Sequence, residues 1–154
     1  MELALCSKAD FDQILQDIDD FWGSERTFPL HHPMFINEFG NSAYVFKEGE
    51  QVLGYLFGFI SQTVPVAYVH LIGVRRSYQG KGLGRRLYEH FIEFAREKGC
   101  KELKAITTKN NGVSIAFHKS IGMELIGEPD EEGIPIVRDY SGPGQHRVVF
   151  RKKI

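Results

Sequence analysis

A glycine-rich loop between a strand and a helix is the feature that most constrains the fold of this chain. Residues 66–74 are mainly β-branched and apolar and predict a strand. The loop Gln79-Gly80-Lys81-Gly82-Leu83-Gly84 follows, with glycine at every second position. Beyond it, apolar residues recur at helical spacing up to Ala95, and Gly99 can end that helix. Glycines at such a turn let the backbone take positive φ angles and approach a ligand closely.

Helical and strand-like segments alternate on both sides of this unit. Ser7 and Asp10 predict a capping pair for a first helix that continues to Trp22, and residues 33–40 predict a second, short helix. Residues 128–145 are polar and rich in glycine and proline, which predicts a long loop. We expect one α/β domain over residues 1–154, with three layers and a central mixed β-sheet flanked by helices. The predicted strands are 43–47, 52–60, 66–74, 103–108, 123–126 and 147–152.

The composition excludes several other classes of protein. Of the 154 residues, 42% are hydrophobic and 25% charged, which is typical of a soluble globular domain. The formal net charge of -1 gives no electrostatic case for nucleic acid or an anionic membrane as a partner. No apolar run reaches the roughly 18 residues of a transmembrane helix, and the N-terminus lacks the pattern of a signal peptide. Cys6 and Cys100 are too few for a disulfide framework, so we expect a cytoplasmic location, and they lack metal-ligand spacing, so we expect no metal.

The glycine loop has the properties of an anion site. The first amides of a helix lack internal partners, and the helix dipole is positive there. Lys81, Arg85 and Arg86 add positive charge. The spacing matches neither a nucleotide triphosphatase P-loop nor Gly-x-Gly-x-x-Gly, although Glu102 stands where a dinucleotide fold could carry its ribose-binding acid. The alternative is a tight turn that needs glycine only for its geometry.

Two segments resemble one known family. Residues 74–87 closely resemble the acetyl-CoA-binding motif of the GNAT acetyltransferase superfamily, whose core Gln/Arg-x-x-Gly-x-Gly/Ala is matched by Gln79, Gly82 and Gly84. Residues 111–123 are similar to the family's Asn-x-x-Ala-x-x-Phe/Leu-Tyr-x-x-x-Gly-Phe run. The two segments occur in the usual order and at the usual separation, and the order of the predicted elements extends the resemblance over nearly the whole chain.

This resemblance implies an enzyme that transfers an acetyl group from acetyl-CoA to a primary amine of a small molecule or peptide. The amine would attack the thioester directly, so orientation and proton removal are the main tasks of the protein. A homodimer is a common arrangement in the family. The residues that the resemblance assigns to acetyl-CoA are Ile72, Gly73, Val74, Gln79, Gly80, Lys81, Gly82, Leu83, Gly84, Arg85, Asn111, Ser114 and Phe117.

His70 is the predicted general base. It lies four residues before Val74, where several members of the family carry a catalytic Glu. Strand alternation predicts that His70 shares a face with Tyr68, Ile72 and Val74. A histidine titrates near neutral pH and can take a proton from an amine. The alternative is a histidine whose hydrogen bonds are satisfied within the fold.

His118 departs from the family pattern, because many members have there a Tyr that is proposed to protonate the leaving thiolate. We predict that His118 takes that role, since histidine can donate a proton. The departure also keeps open a non-catalytic CoA-binding or regulatory module, and a dinucleotide-binding oxidoreductase is a further alternative.

The acceptor amine is predicted to bind in the N-terminal third, by analogy with the family. Asp20, Trp22 and His31 are the candidates there, since acidic and aromatic groups can hold a cationic amine. Against this, Asp20 can belong to a solvated helix end and Trp22 can anchor a core.

Overall fold

One seven-stranded mixed sheet runs through the molecule, and the computed structural model describes all 154 residues. The strands are β1 Glu2–Leu5, β2 Ala43–Glu48, β3 Gln51–Ile60, β4 Val66–Val74, β5 Glu102–Thr107, β6 Glu124–Ile126, β7 Glu128–Pro129, β8 Pro135–Ile136 and β9 Val148–Lys153. The order in the large sheet is β1-β2-β3-β4-β5-β9-β6, and β7 pairs with β8 separately. All neighbouring strands of the large sheet run antiparallel except β4 and β5, which run parallel.

Helices cover both faces of the sheet. They are α1 Lys8–Gln16, α2 Ile18–Trp22, α3 Met34–Asn37, α4 Leu83–Glu97 and α5 Gly112–Ser120. Phe11 and Phe35 from α1 and α3 lie in one buried cluster, whereas Leu87 and Phe91 of α4 lie in another, against which Phe117 of α5 packs. We call the two sides the α1 face and the α4 face. The predicted three-layer α/β fold is confirmed.

The first helix begins as predicted but ends earlier. Ser7 accepts a hydrogen bond from the Asp10 amide, and Asp10 accepts one from the Ser7 amide, so the capping box is confirmed. The predicted single helix breaks at Asp17, which ends α1 and begins α2. The Asp17 carboxylate binds Arg75 at that break. The spacing of apolar residues gives no information about this long-range ion pair, so it does not predict the break.

The strands were predicted to within one residue at each end, except three that were missed. β1 is a four-residue edge strand, too short to show a period. The predicted loop over 128–145 contains the two-residue strands β7 and β8, and Val137 and Arg147 form a bridge. Ile136 of β8 is 3% exposed and packs on the α4 face, so this segment folds back on the sheet instead of extending into solvent.

Candidate active site

β4 and β5 diverge halfway along β4. The two strands pair from Val66 to Val69 of β4, and no pair follows. β4 nevertheless continues to Val74 with β3 on its other side. The half of β4 that begins at His70 therefore has one edge without a strand partner. Unpaired peptide groups at such an edge are ready to bind an extended ligand.

The register of β3 and β4 shows which peptide groups face this gap. The Arg75 amide donates to the Leu53 carbonyl at 2.9 Å. Because hydrogen-bonded pairs alternate in antiparallel strands, the peptide groups of Ile72 and Val74 point away from β3. The Gln79 side chain donates to the Val74 carbonyl at 3.0 Å from that side. The backbone at Ile72 and Val74 thus lines the gap, whereas the peptide group of Gly73 faces β3.

The loop after β4 leaves the start of α4 open. Gly80 and Gly82 have φ angles of +75° and +85°, and no heavy atom lies within 4 Å of the place where a Cβ would stand on either. Gly82 precedes the first turn of α4, and no side chain caps that turn. The first amides of α4 therefore have no partner in the chain, at the positive end of the helix dipole. This geometry fits a phosphate group.

Basic side chains surround the loop, but not all of them are free. Lys81 is exposed, and its ammonium lies 5.1 Å from the centre of the Tyr78 ring. The Arg85 guanidinium donates to the Ser120 carbonyl at 3.1 Å and so ties α4 to the end of α5. The Arg86 guanidinium lies over the Phe46 ring at 4.7 Å. Lys81 is thus the basic residue of the loop without a contact to another element.

The second predicted cofactor segment packs directly beside the loop. Asn111 caps α5, because its side chain accepts from the Ser114 amide at 3.1 Å. A Cβ on Gly84 would lie 3.0 Å from the Phe117 ring. Glycine at position 84 therefore lets α5 close on the start of α4. The structure brings Asn111, Ser114 and Phe117 to the same end of the sheet as the glycine loop.

His118 lies inside the fold, which does not favour the predicted role as an acid. It is 3% exposed, and its ring stacks on Phe150 at 4.3 Å. Its Nδ1–H donates to the Ser114 carbonyl, and the Tyr88 hydroxyl donates to its Nε2, both at 2.7 Å. Burial lowers the pKa of His118 from 6.5 to about 4. The imidazole is therefore neutral at pH 7, and both nitrogens are engaged within the fold.

His70 shares a face with Tyr68, as predicted, but not with Ile72 and Val74, and a β-bulge is the reason. Phe57 pairs with Leu71 and Gly58 pairs with Val69, so His70 is an extra residue without a partner on β3. Such a bulge shifts the alternation of side chains by one residue. The His70 ring stacks on Phe35 at 5.0 Å, on the α1 face. The side chains of Ile72 and Val74 pack instead on the α4 face.

The surroundings of His70 suit proton transfer on the α1 face. Its Nδ1 lies 2.9 Å from the Tyr68 hydroxyl, and the residue is half-buried. Burial lowers the pKa of His70, so the neutral imidazole dominates at pH 7. Burial also raises the pKa of Tyr68, which keeps its phenol protonated. His70 can thus accept a proton at Nε2 while Nδ1–H donates to Tyr68.

The three predicted acceptor residues are committed to contacts within the fold. The Asp20 carboxylate pairs with Arg75 at 3.1 Å. Trp22 Nε1–H donates to the Tyr55 hydroxyl at 2.6 Å, and that hydroxyl donates to His31 Nε2 at 2.6 Å. His31, which is 5% exposed, donates from Nδ1 to a backbone carbonyl. This chain of hydrogen bonds leaves no polar group of Trp22 or His31 free for an amine, and the Asp20 carboxylate is already paired with Arg75.

Arg75 is the residue that sequence reasoning missed on this side. It is 6% exposed and binds the carboxylates of Asp17 and Asp20, while its guanidinium lies 4.8 Å from the Phe21 ring. It directly follows Val74 and so fastens α1 and α2 to the end of β4 that precedes the glycine loop. The two Asp residues more than fifty positions earlier give no local signal for this pairing.

Two further observations concern metals and membranes. The structure contains no group of three or more His, Cys, Asp or Glu residues that could hold a metal ion. None of its helices combines the length and the apolar composition that crossing a membrane requires.

Comparison with known proteins identifies the family. The model of the acetyltransferase (GNAT) family matches residues 10–123, and the chain belongs to this family. The N-alpha-acetyltransferase RimI of Mycobacterium tuberculosis is 36% identical over 83 residues, covering 53% of this chain and 51% of that protein. The L-methionine sulfoximine/L-methionine sulfone acetyltransferase of Pseudomonas aeruginosa is 36% identical over 64 residues, 42% of this chain and 37% of that protein. The matches thus span about half of these relatives or less.

Solved structures share the fold at low sequence identity. The ribosomal-protein-S18-alanine N-acetyltransferase from Escherichia coli superposes with a TM-score of 0.69 at 19% identity, over 99% of this chain and 93% of that one. A chain of the NatC complex bound to Gag peptide and CoA gives a TM-score of 0.72 at 15% identity, over 100% and 99% of the two chains. These likenesses support the fold.

Proposed function

We propose that this protein is an acetyl-CoA-dependent N-acetyltransferase that acetylates a primary amine of a small molecule or peptide by direct attack on the thioester. The observation that carries the proposal is the gap between β4 and β5, which opens beside the uncapped start of α4. Bound acetyl-CoA supplies an acetyl group that is already activated, so no covalent intermediate with the protein is needed. Membership of the acetyltransferase family supports the same assignment.

The cofactor side of the site fits this role through its backbone. The open amides at Gly80, Gly82 and the first turn of α4 would bind the pyrophosphate. The outward peptide group of Ile72 and the amide of Val74 would bind the pantetheine arm, and an amide of this strand would polarise the thioester carbonyl. Lys81 would add positive charge near the phosphates. We expect Asn111, Ser114 and Phe117 to line the α5 side of the same groove.

His70 is proposed as the general base. An aliphatic amine is mostly protonated at neutral pH and has no lone pair with which to attack until a proton leaves. The lowered pKa of His70 keeps its imidazole neutral and able to take that proton. Its hydrogen bond with Tyr68 would hold the ring as the Nδ1–H tautomer, with Nε2 free as the base. The amine would approach from the α1 face, opposite the cofactor loop.

The proposed step conserves atoms and charge. The acceptor ammonium first loses one proton to His70, directly or through one water. The neutral nitrogen then forms a bond to the acetyl carbon, the carbon–sulfur bond breaks, and the second nitrogen proton passes to solvent. The sulfur leaves as a thiolate, for which solvent or Tyr140 is the proton source. His118 is proposed as a positioning residue, because its hydrogen bond with Tyr88 joins α5 to α4, while its bond with the Ser114 carbonyl fixes the ring within α5.

One observation favours a second candidate, a non-catalytic CoA-binding module on the same fold. Many members of the family have at the position of His118 a Tyr that is proposed to act as the general acid. In this chain the position holds a buried, neutral histidine. Such a module would bind acetyl-CoA at the glycine loop but would release no CoA in the presence of amines.

A paired measurement separates the two candidates. Calorimetry gives the affinity for acetyl-CoA, and a thiol-release assay with mass spectrometry of the products gives acetyl transfer to amino acids, polyamines, aminoglycosides and short peptides. We expect binding together with amine-dependent release of CoA and a product heavier by one acetyl group. Binding without any acetylated product across the panel would support the non-catalytic module.

A further inference from the structure

A concave site on the α1 face lies close to His70, and one of its lining residues is a lysine. Its volume is about 260 Å³, which suits one small molecule. The site is lined by Phe59, Ser61, Thr63, Tyr68, Lys104 and Tyr140. Tyr68 connects it to His70 through the 2.9 Å contact between its hydroxyl and Nδ1. The site is therefore beside the proposed base, on the side away from the glycine loop.

Lys104 is the charged group of this site and has no acidic partner. It lies between Leu103 and Ala105, which are buried on the α4 face, so its side chain points to the α1 face. No carboxylate of the chain forms a salt bridge with it. The acidic residue nearest to it on the same face of β5, Glu102, is paired with Arg151. The Lys104 ammonium thus remains available to an anion.

Two tyrosines hold this ammonium in place. Lys104 Nζ lies 5.4 Å from the centre of the Tyr68 ring and 5.8 Å from that of Tyr140. Contacts of a cation with aromatic faces fix its position without neutralising its charge. A half-buried ammonium with a fixed position binds a carboxylate more strongly than a mobile surface lysine does, because less side-chain entropy is lost.

The Tyr68 side chain lies against both Lys104 and His70. Lys104 pairs in register with Tyr68, and His70 lies two residues further along β4. Lys104 Nζ lies 5.4 Å from the centre of the Tyr68 ring, and His70 Nδ1 lies 2.9 Å from its hydroxyl. One small molecule that carries both an anion and an amine can therefore reach the two groups. An amino acid is a small molecule of this kind.

We propose that the acceptor is a free amino acid, whose carboxylate is bound by Lys104 while its amine faces His70. This inference rests on the proposed acetyltransferase function and narrows its substrate class. The apolar and aromatic residues of the site would contact the amino-acid side chain, and Tyr140 would close over it from the loop that follows β8. Lys104 would act as a specificity-determining residue and take no part in proton transfer.

The test compares each common L-amino acid with its own carboxamide, which keeps the amine and the side chain but removes the negative charge. Calorimetry with the CoA-loaded protein gives the affinities, and acetyl transfer gives kcat/KM. We expect the wild-type protein to prefer the acid, and Lys104→Met to lower kcat/KM for the acid about 10- to 100-fold with little change for the amide. Lys101→Met is the matched control, because it removes the same charge from an exposed position directly before β5.

The outcomes separate this inference from the function on which it rests. Equal binding of acids and amides by the wild-type protein, or an equal loss for both in Lys104→Met, would overturn the assignment to Lys104. Better acetylation of peptides than of free amino acids would overturn it as well. Carboxylate-dependent binding that Lys104→Met removes, without acetylation of any amine, would support the amino-acid site and contradict the acetyltransferase function.

Discussion

The α4 face and the α1 face of the sheet carry two sites of different construction. On the α4 face, the proposed cofactor groove is made of peptide groups: the open edge of β4 and the first amides of α4. On the α1 face, the proposed acceptor site is made of side chains that come from β3, β4, β5 and the loop after β8. A backbone site needs only a local run of permissive residues, whereas a side-chain site needs distant residues to meet.

This difference decides how each face responds to substitution. A backbone site tolerates changes of side chain except where a new Cβ would stand in the way of the ligand, as at Gly80 and Gly82. A side-chain site loses a defined chemical group with each substitution. Changes on the α1 face should therefore alter turnover and selectivity, and changes at the loop should alter the affinity for the cofactor.

The largest effect is expected from His70→Ala, on the α1 face. Removal of a general base typically lowers the rate about 10²–10⁴-fold, while acetyl-CoA still binds to the other face. Because burial lowers the pKa of His70, the wild-type rate should fall with decreasing pH only below the ordinary histidine value of 6.5. That acidic limb should disappear in the variant, which a pH profile of kcat/KM would detect.

His90→Ala serves as the control for this experiment. His90 is exposed on α4 and stacks edge-on against Tyr44, away from the gap between β4 and β5. Tyr68→Phe sharpens the test, since it removes the hydroxyl that would fix the tautomer of His70 and should move the acidic limb without abolishing it. An unaltered pH profile in His70→Ala would rule His70 out as the base.

A smaller effect, confined to binding, is expected from Gly82→Val on the α4 face. The valine side chain would stand in the open space before α4 and disfavour the φ angle of +85°, so phosphate could no longer approach the amides. We expect the dissociation constant for acetyl-CoA to rise about 10- to 100-fold by calorimetry, the equivalent of one or two charged hydrogen bonds.

Gly99→Val is a matched control for backbone strain. Gly99 follows the other end of α4, has a φ angle of +82°, and has no heavy atom near the position of a Cβ. Both variants should lose comparable stability, but only Gly82→Val should lose affinity for acetyl-CoA. Wild-type affinity in a folded Gly82→Val protein would exclude the loop as the phosphate site.

The same contrast explains what could be predicted from the sequence. The glycine loop and the Ser7–Asp10 capping box involve residues within a few positions of one another, so local patterns suffice to predict them. The strands of the central sheet also follow from local periodicity. These features account for most of the fold and for the cofactor side of the candidate site.

The acceptor side could not be predicted in the same way. The bulge at His70 arises from the pairing of β4 with β3, and alternation along β4 alone wrongly places His70 on the face of Ile72 and Val74. Arg75 pairs with Asp17 and also with Asp20, the residue that the sequence predicts to hold the acceptor amine. Lys104 belongs to no recognisable sequence motif. Its proposed role depends on the absence of an acidic partner, which only the folded structure reveals.

The smallest effect on turnover is expected from His118→Phe, although many members of the family have at this position a Tyr that is proposed to act as the general acid. Phenylalanine keeps the stacking of a flat ring on Phe150 but leaves the buried Tyr88 hydroxyl without its acceptor. An unsatisfied buried hydroxyl costs about 1–3 kcal/mol of unfolding free energy, which urea denaturation at pH 7 would detect. The double variant Tyr88→Phe/His118→Phe should recover part of this loss, because both partners are then apolar.

The dependence of stability on pH gives His118 a second signature. Its pKa is lowered from 6.5 to about 4 in the folded protein, so the unfolded chain binds the additional proton first as the pH falls. Its contribution is therefore complete above pH 6.5 and is lost as the pH falls through about 4. The wild-type protein should lose more stability than His118→Phe between pH 7 and pH 4.5. A turnover that drops far more than the folded fraction would instead restore His118 as the acid, and would show that the α4 face contributes a side chain to the chemistry as well as a backbone to the binding.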